Sequence, residues 1–201
     1  MVTALDAVGT LFRWPLVIAF LIAWGGGESA ALGQTASHRL WVLNGGFEAG
    51  AEVGWGQGPS AENRAWWWNS RDCQSVAEIS GEERHSGKLA LHIVNISARA
   101  PHVYGTTQQP PVAIQPGRRY RVSLWAKAPQ IASPGAVSLV VDSAWKVRPI
   151  QLPSGGFDWT QFSGEFVLHE PTAQIRILCE DLAEVWIDEV ALTPADLPPP
   201  Q

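Results

Sequence analysis

The clearest pattern in the chain is a strict alternation of hydrophobic and polar residues over positions 120–128. Such alternation predicts a β-strand with one buried face and one solvated face. Trp125 falls on the polar face, between Ser123 and Lys127. A tryptophan there is suited to be a flat platform for a ligand with an apolar face and hydroxyl groups. The same position is also consistent with an indole that a neighbouring loop covers.

Similar short stretches recur along the chain, separated by turn residues such as Pro116-Gly117 and Gly155-Gly156. The predicted strands are residues 40–48, 75–80, 88–95, 103–109, 119–127, 136–142, 160–168, 173–179 and 184–192. Stretches with helical periodicity are scarce. About nine antiparallel strands without intervening helices predict an all-β fold, a β-sandwich most simply arranged as a jelly roll.

The N-terminal segment is typical of a targeting sequence. Arg13 precedes an apolar run at residues 14–24, and small residues follow as far as Ala31. The run is shorter than the ~20 apolar residues that a membrane-spanning helix needs. We therefore expect a secreted, periplasmic or cell-surface protein, attached to a membrane only if the leader is not cleaved. The expected organisation is a leader at residues 1–36, a sandwich at 37–193 and a proline-rich tail at 194–201.

Composition argues against nucleic acid as a partner and leaves open whether the two cysteines form a disulfide. The 201 residues carry a net charge of −5 and contain no basic run, which argues against nucleic-acid binding. An exported protein could join Cys73 and Cys179 in a disulfide. Cys179 is also in phase with the apolar Ile175 and Ile177, as expected of a small buried hydrophobic residue. Both interpretations stay open.

Five blocks of sequence occur in an order typical of a known family. They are Asn44–Glu48, His85–Leu91, Pro116–Lys127, Trp159–Phe162 and Val185–Val190. In this order and at this spacing they resemble carbohydrate-binding modules of the family 4/9 type, with family 22 close to them. The resemblance spans about residues 40–193 and implies a galactose-binding-like jelly roll. It also implies non-catalytic binding of a plant or microbial polysaccharide or oligosaccharide, and we expect a monomer.

The resemblance implies a structural calcium ion. Matched residue by residue, Glu48 and Asp188 would supply carboxylates, and Gly46 and Lys88 would supply main-chain carbonyls. The chemistry is suitable, because Ca²⁺ binds about six to eight hard oxygen ligands. Without the resemblance, the two acids are more simply interpreted as surface residues at strand ends.

The resemblance further implies a glycan groove on the concave sheet. A sugar-binding groove needs flat aromatic rings beside planar hydrogen-bonding groups. The predicted ligand-binding residues are Trp125, Tyr104, Arg121, Arg176, Gln108, Trp145 and Trp67. By strand parity, Trp125 shares a face with Arg121, and Tyr104 shares a face with Gln108. We expect Trp125, Tyr104 and Arg176 to line one trough, with Trp145 and one of residues 66–68 at its rims.

Other aromatic residues have different expected positions. Trp159, Phe162 and Phe166 match hydrophobic positions of the family and are assigned to the core. Adjacent side chains of an extended chain point to opposite faces, so the three tryptophans at 66–68 cannot all be core. His85 is expected in an exposed loop.

Two other functions are considered. A glycosidase or lyase needs two carboxylates facing each other across a cleft. The acidic pairs at 82–83, 180–181 and 188–189 are instead sequence neighbours, which point to opposite faces when extended. The five histidines show no metal-binding spacing, so we expect no catalysis. The second alternative is a secreted adhesion or assembly domain that binds protein through its tryptophan-rich face.

Overall fold

The computed structural model describes residues 42–49 and 66–196, except for the side chain of Trp67. The chain divides into two units, Met1–Ala36 and Ser37–Gln201, and every described residue lies in the second. The predicted leader therefore lies outside the described residues, as does the tail beyond Asp196. Within the described residues there is no helix long and apolar enough to cross a membrane.

The described residues form strands and no helix, which confirms the predicted all-β class. Sheet A contains, in spatial order, β1 (Trp67–Arg71), β4 (Tyr104–Gln108), β11 (Arg176–Cys179), β7 (Val137–Val140) and β8 (Ile150–Gln151). Sheet B contains β2 (Ser75–Ser80), β3 (Ala90–Asn95), β12 (Ala183–Pro194), β6 (Arg119–Ile131) and β9 (Phe157–Val167). A small third sheet pairs β5 (Val112–Ala113) with β10 (Thr172–Ala173), and all pairings are antiparallel.

The hydrophobic core lies between the inner faces of sheets A and B. In β6 the even-numbered residues from Tyr120 to Ala126 are buried, as their alternation predicts. Leu139 of β7 and Ile177 of β11 supply buried side chains from sheet A. Full burial of one such aliphatic side chain stabilises the fold by about 1.5–3 kcal/mol. The outward-pointing residues of each strand consequently form two outer surfaces, one on each sheet, whereas the polar Thr107 of β4 is buried opposite Ile177.

The segment 42–49 differs from its prediction. It forms a series of turns and not a strand. Asn44 and Phe47 adopt positive φ values of 47° and 58°, and Phe47 N–H donates to the Asn44 carbonyl at 3.0 Å. A Cβ on Gly45 would collide with the Val190 carbonyl oxygen, so glycine allows this segment to lie against β12. The two glycines that were predicted to end a strand are therefore part of the packing itself.

The two cysteines are free thiols. Cys73 is part-buried, with its Sγ 2.8 Å from Ser75 Oγ. Cys179 is fully buried in β11, and burial raises the pKa of its thiol to about 12. It thus takes the small buried hydrophobic role, the second of the two interpretations of this residue.

We expect Ellman's reagent to separate the two thiols. The native protein at mildly alkaline pH should react readily at Cys73 and very slowly at Cys179, because a buried thiol with a raised pKa yields little thiolate. Guanidinium chloride should expose both, and a Cys73→Ser variant should leave no fast-reacting thiol. Absence of free thiol in the denatured, unreduced protein would instead indicate a disulfide.

Candidate functional site

One outer surface combines aromatic, amide and guanidinium groups. It is the face of sheet A that points away from the core, and we call it the groove face. The register places Arg176 opposite Gln108 on one side and Val140 on the other. It places Leu178 opposite Thr106 and Ser138. The groove face is defined by the side chains of Tyr104, Thr106, Gln108, Ser138 and Arg176.

The loop between β7 and β8 folds over the groove face. The carboxylate of the buried Asp142 organises this loop by accepting the N–H groups of Lys146 at 2.9 Å and Val147 at 2.8 Å. Trp145 has a positive φ of 64°, an uncommon conformation for a bulky residue. Its ring centroid lies 5.3 Å from that of Tyr104. The predicted rim residue thus lies beside a predicted groove residue.

Arg176 is the most constrained polar side chain of the groove face. It is 7% exposed, and its Cζ lies 4.6 Å from the centroid of the Trp145 ring, within cation–π range. Its Nε donates to Gln108 Oε1 at 2.8 Å and its Nη1 donates to the Asp142 carbonyl at 2.9 Å. Burial lowers the pKa of this guanidinium. Among the described residues no carboxylate lies within ion-pair distance of it, but the charge of the Asp142 carboxylate opposes this lowering from farther away. The charge is further stabilised by the oxygens that accept its hydrogen bonds and by the Trp145 ring.

Two hydroxyl groups of the groove face are buried without a hydrogen-bond partner in the described structure, Thr106 Oγ1 and Ser138 Oγ. Leaving such a group unsatisfied costs about 1–3 kcal/mol, and an unsatisfied group in a binding surface suits a ligand or water. Arg148, which precedes β8, makes a two-bond ion pair with Glu180, which follows β11. Sequence reasoning missed Ser138 and Arg148, since neither residue carried a distinguishing pattern.

Trp125 and Arg121 lie elsewhere, so the expectation of a single trough is wrong. Both belong to β6 of sheet B, where Trp125 is paired with Gln161 of β9 and Asp188 of β12. Tyr104 and Arg176 belong to sheet A. The alternation correctly predicts that Trp125 points away from the core, but it carries no information about which sheet contains β6.

Trp125 was interpreted either as an exposed platform for a ligand or as an indole that a loop covers, and its surroundings show features of both. The His85 ring stacks on the indole with centroids 3.6 Å apart and planes 13° from parallel, so a loop covers one side. Trp159 approaches the same imidazole edge-on at 5.8 Å. His85 is therefore not a free exposed residue. Trp159 was predicted to be in the core, and this prediction is wrong. Arg121 is engaged with Glu165, with Nη2 and Oε1 2.6 Å apart.

Most of the other aromatic residues singled out in the sequence lie in or against the core. Phe166 is buried and Phe162 packs against the core, as expected. Trp66 and Trp68 are also buried, and Trp66 Nε1 donates to the Leu43 carbonyl at 2.9 Å. The backbone of Trp67 pairs with Gln108 in sheet A, but its side chain lies outside what the structure describes.

The two predicted calcium ligands with carboxylates both lie close to Gly46. A Cβ on Gly46 would lie 3.9 Å from both Asp188 Oδ1 and Glu48 Cγ. Glu48 Oε1 accepts the N–H groups of Lys88 at 2.8 Å and Leu89 at 2.9 Å. Lys88 thus contributes its N–H to Glu48, whereas its carbonyl oxygen lies beside Gly81.

Asp188 is fully buried, and main-chain amides surround its carboxylate. Oδ2 accepts from His85 and Ser86 at 3.1 Å each, and Oδ1 accepts from Glu189 at 2.7 Å. Burial raises the pKa of Asp188 despite these bonds. Neither Asp188 nor Glu48 forms an ion pair with Lys or Arg among the described residues. Two neighbouring carboxylates without a cationic partner are a donor set that fits Ca²⁺, although no cluster of three or more acidic, histidine or cysteine ligands occurs in the described part.

Comparison with known families identifies the chain. A family model described as a carbohydrate binding domain, of the family 4/9 type, matches residues 41–178. The chain belongs to this family. The match covers β1 to most of β11, and hence the strands of the groove face, so the predicted family is confirmed.

Solved structures agree on the fold of this carbohydrate-binding domain. A family 4 module is 13% identical with a TM-score of 0.53, and the alignment covers 76% of this chain and 99% of that one. A family 61 module in complex with β-1,4-galactotriose is 16% identical with a TM-score of 0.51, covering 78% and 99%. A family 16 module is 18% identical with a TM-score of 0.50, covering 76% and 99%. These likenesses establish the β-sandwich jelly roll. A comparison with curated proteins finds no match.

The hydrogen bonds of Glu48 predict a pH dependence of stability for the carbohydrate-binding domain. The amides of Leu89 and Lys88 lower its pKa below the ordinary value of 4.5. Ionised Glu48 therefore stabilises the folded state above that value, and the contribution is lost as pH falls through the lowered pKa. A Glu48→Gln variant should be less stable at neutral pH, by about 1 kcal/mol or less because the group is exposed. Thermal unfolding across pH measures the difference, which should vanish in acid.

Glu82→Gln is the matched control, because Glu82 is exposed in the neighbouring turn and its carboxylate forms no hydrogen bond or ion pair with the described residues. It should follow the wild type at every pH. A Glu48→Gln difference that persists at low pH would show that the carboxylate charge is not what fixes the 85–89 loop.

Proposed function

We propose that the domain binds a polysaccharide or oligosaccharide of plant or microbial origin on the groove face, without chemically altering it. The observation that carries this proposal is the contact of Trp145 with both Tyr104 and Arg176 on the outer surface of sheet A. Family membership supports carbohydrate as the ligand class. The geometry supports this face as the place where it binds.

The chemistry of the face suits a sugar ring. The C–H face of a pyranose packs on an aromatic plane, which Tyr104 and Trp145 supply. The hydroxyls of the sugar need fixed donors and acceptors, and Arg176 and Gln108 are already held in place by their mutual bond of 2.8 Å. Two rings at about 0.5–1.5 kcal/mol each, together with several hydrogen bonds, correspond to a dissociation constant of roughly micromolar to millimolar. This range suits reversible binding along a polymer.

The acidic residues support binding over catalysis. Glu180 is engaged by Arg148, and Asp181 accepts from the Ser133 hydroxyl at 2.6 Å. Asp188 is buried among amides. None of the three is an exposed carboxylate facing a second one across a cleft, as glycoside hydrolysis requires.

We also propose that the domain acts outside the cytoplasm, on the basis of the leader pattern at residues 1–36. N-terminal sequencing of the exported protein tests this. A start at residue 32 or 34 is expected, after Ala31 or Gly33, and a chain that still begins at Met1 would contradict cleavage.

Replacement of Tyr104 tests the groove directly. A Tyr104→Ala variant should bind xylan or galactan about two- to tenfold more weakly, the loss expected for one stacking ring. Affinity electrophoresis in gels that contain the soluble polysaccharide measures this. Val76→Ala is the control, since Val76 is 61% exposed on sheet B.

Thermal unfolding of both variants ensures that weaker binding does not reflect an unfolded protein. Tyr104→Ala should melt close to the wild type because its side chain is only part-buried. Unchanged retention of a folded Tyr104→Ala variant would contradict the groove assignment. Absence of retention of the wild type by every polysaccharide would instead favour the protein-binding adhesion domain.

We further propose that Ca²⁺ binds at Glu48 and Asp188, supported by two carboxylates close to Gly46 that form no ion pair with Lys or Arg among the described residues. The ion would tie the turn at 42–49 to the 85–89 loop and to β12. Added Ca²⁺ should raise the melting temperature of chelator-treated protein, because a ligand that binds only the folded state stabilises it. Asp188→Asn should abolish that rise. An identical melting temperature with and without Ca²⁺ in the wild type would contradict the site.

A further inference from the structure

A β-bulge in β12 deforms the outer surface of sheet B next to Trp125. Asp188 is paired with Trp125 and Ala191 with Ser123, so two residues of β12, Glu189 and Val190, oppose a single residue of β6. Glu189 takes a positive φ of 50°, and Val190 turns inward and is buried. Bulges of this kind redirect side chains and occur often beside binding sites. The sheet surface is therefore not flat here.

The bulge forms one side of a cavity of about 500 Å³, which we call the tryptophan pocket. Its lining includes Gly46, His85, Ser123, Trp125, Gln161 and Glu189. The volume is within the range of small-ligand sites, about 300–1,000 Å³. It suits one or two sugar rings, whereas a long chain would extend beyond it.

The aromatic part of the pocket is held rigidly. His85 stacks on Trp125 at 3.6 Å, and the backbone N–H of His85 is bonded to the buried Asp188 at 3.1 Å. The indole is therefore fixed from the loop side, while part of its surface lines the cavity. A preoriented ring of this kind loses little conformational entropy when a ligand packs on it.

The polar part of the pocket is free to bind. Within the described residues, neither the Ser123 hydroxyl nor the Gln161 amide has a hydrogen-bond partner. Glu189 adds a carboxylate, with Oε2 3.4 Å from His85 Nδ1. Among the described residues that line the cavity there is no Lys or Arg, which disfavours phosphate and other anions. Apolar surface of the lining is supplied by Val42, Val190 and Ala191. An indole and apolar groups beside a hydroxyl, an amide and a carboxylate match a neutral pyranose, which offers C–H bonds on a face and hydroxyls around its edge.

We propose that the tryptophan pocket is a second sugar-binding site, which takes one or two pyranose rings at the end of a glycan chain. This inference rests on the proposed function in one respect, namely that carbohydrate is the ligand class of the domain. The pocket lies on sheet B and the groove face on sheet A, so the two sites bind independently. One domain would then hold two glycan segments on opposite sides of the sandwich.

The test is isothermal titration calorimetry with trisaccharides, which are too short to reach both sites at once. The probes are β-1,4-galactotriose, xylotriose and cellotriose. The variants are Gln161→Leu, which removes a hydrogen-bonding amide in the pocket, and Tyr104→Ala on the groove face. Trp125 Nε1–H is followed in nitrogen-15 spectra, and a Trp125→Phe variant assigns its signal.

The expected result is a stoichiometry of two for at least one trisaccharide. Gln161→Leu should weaken one of the two sites about fivefold or more, the loss expected for a hydrogen bond to a ligand, and should leave the other unchanged. Tyr104→Ala should do the reverse and should still allow the Trp125 indole signal to shift with sugar.

The outcomes separate this inference from the proposed groove. A single site that Tyr104→Ala weakens and Gln161→Leu does not would overturn the second site and leave the groove standing. A single site weakened only by Gln161→Leu would support the tryptophan pocket and overturn the groove. A Trp125 signal that does not move at saturating sugar, with every probe, would overturn the pocket as well.

Discussion

The burial of two hydrophobic sheet faces against each other is the constraint from which the rest of the structure follows. Successive residues of a strand point to opposite faces, so each side chain buried in the core implies a neighbour on an outer surface. Ile177 and Leu139 face the core from sheet A, and Leu124 faces it from sheet B. Arg176 and Trp125, each adjacent to one of these residues, consequently lie on opposite outer surfaces. This packing therefore separates the groove face from the surroundings of Trp125.

Loops then convert each outer surface into a shaped site. Above sheet A, the buried carboxylate of Asp142 holds the turn that brings Trp145 to Tyr104 and Arg176. Above sheet B, the buried carboxylate of Asp188 holds the loop that brings His85 to Trp125. In both cases a buried acid that accepts main-chain N–H groups fixes an aromatic contact. Both aromatic arrangements are therefore fixed by the fold itself, and preorganisation of this kind reduces the entropic cost of binding a ligand.

Alternation of hydrophobic and polar residues predicts strands well because it reflects a local property: consecutive side chains of a strand point to opposite faces of the sheet. Ser75–Ser80 was predicted with the correct bounds, and β6 was predicted except for its extension to Ile131. The two-residue strands were missed because alternation cannot be recognised over two positions. The segment 42–49 was mistaken for a strand, since its turns depend on the fit of Gly45 against Val190, which lies far along the chain.

The candidate site was predictable only in part, for a related reason. Parity correctly groups Tyr104 with Gln108, and Trp125 with Arg121, but sheet assignment depends on pairings between distant strands. The stacking of His85 on Trp125 brings together residues 40 positions apart in the sequence, and no local sequence pattern predicts this contact. The family resemblance supplied what periodicity could not, namely the ligand class and the two acids that meet at Gly46.

The central claim is that sugar binds on the outer surface of sheet A, and a crystal structure of the domain with xylohexaose or β-1,4-galactotriose tests it most directly. The account predicts a pyranose ring packed against Tyr104 and Trp145, with its hydroxyls hydrogen-bonded to Arg176 and Gln108. Sugar bound elsewhere on the domain, with this surface free of it at saturating concentration, would contradict the account.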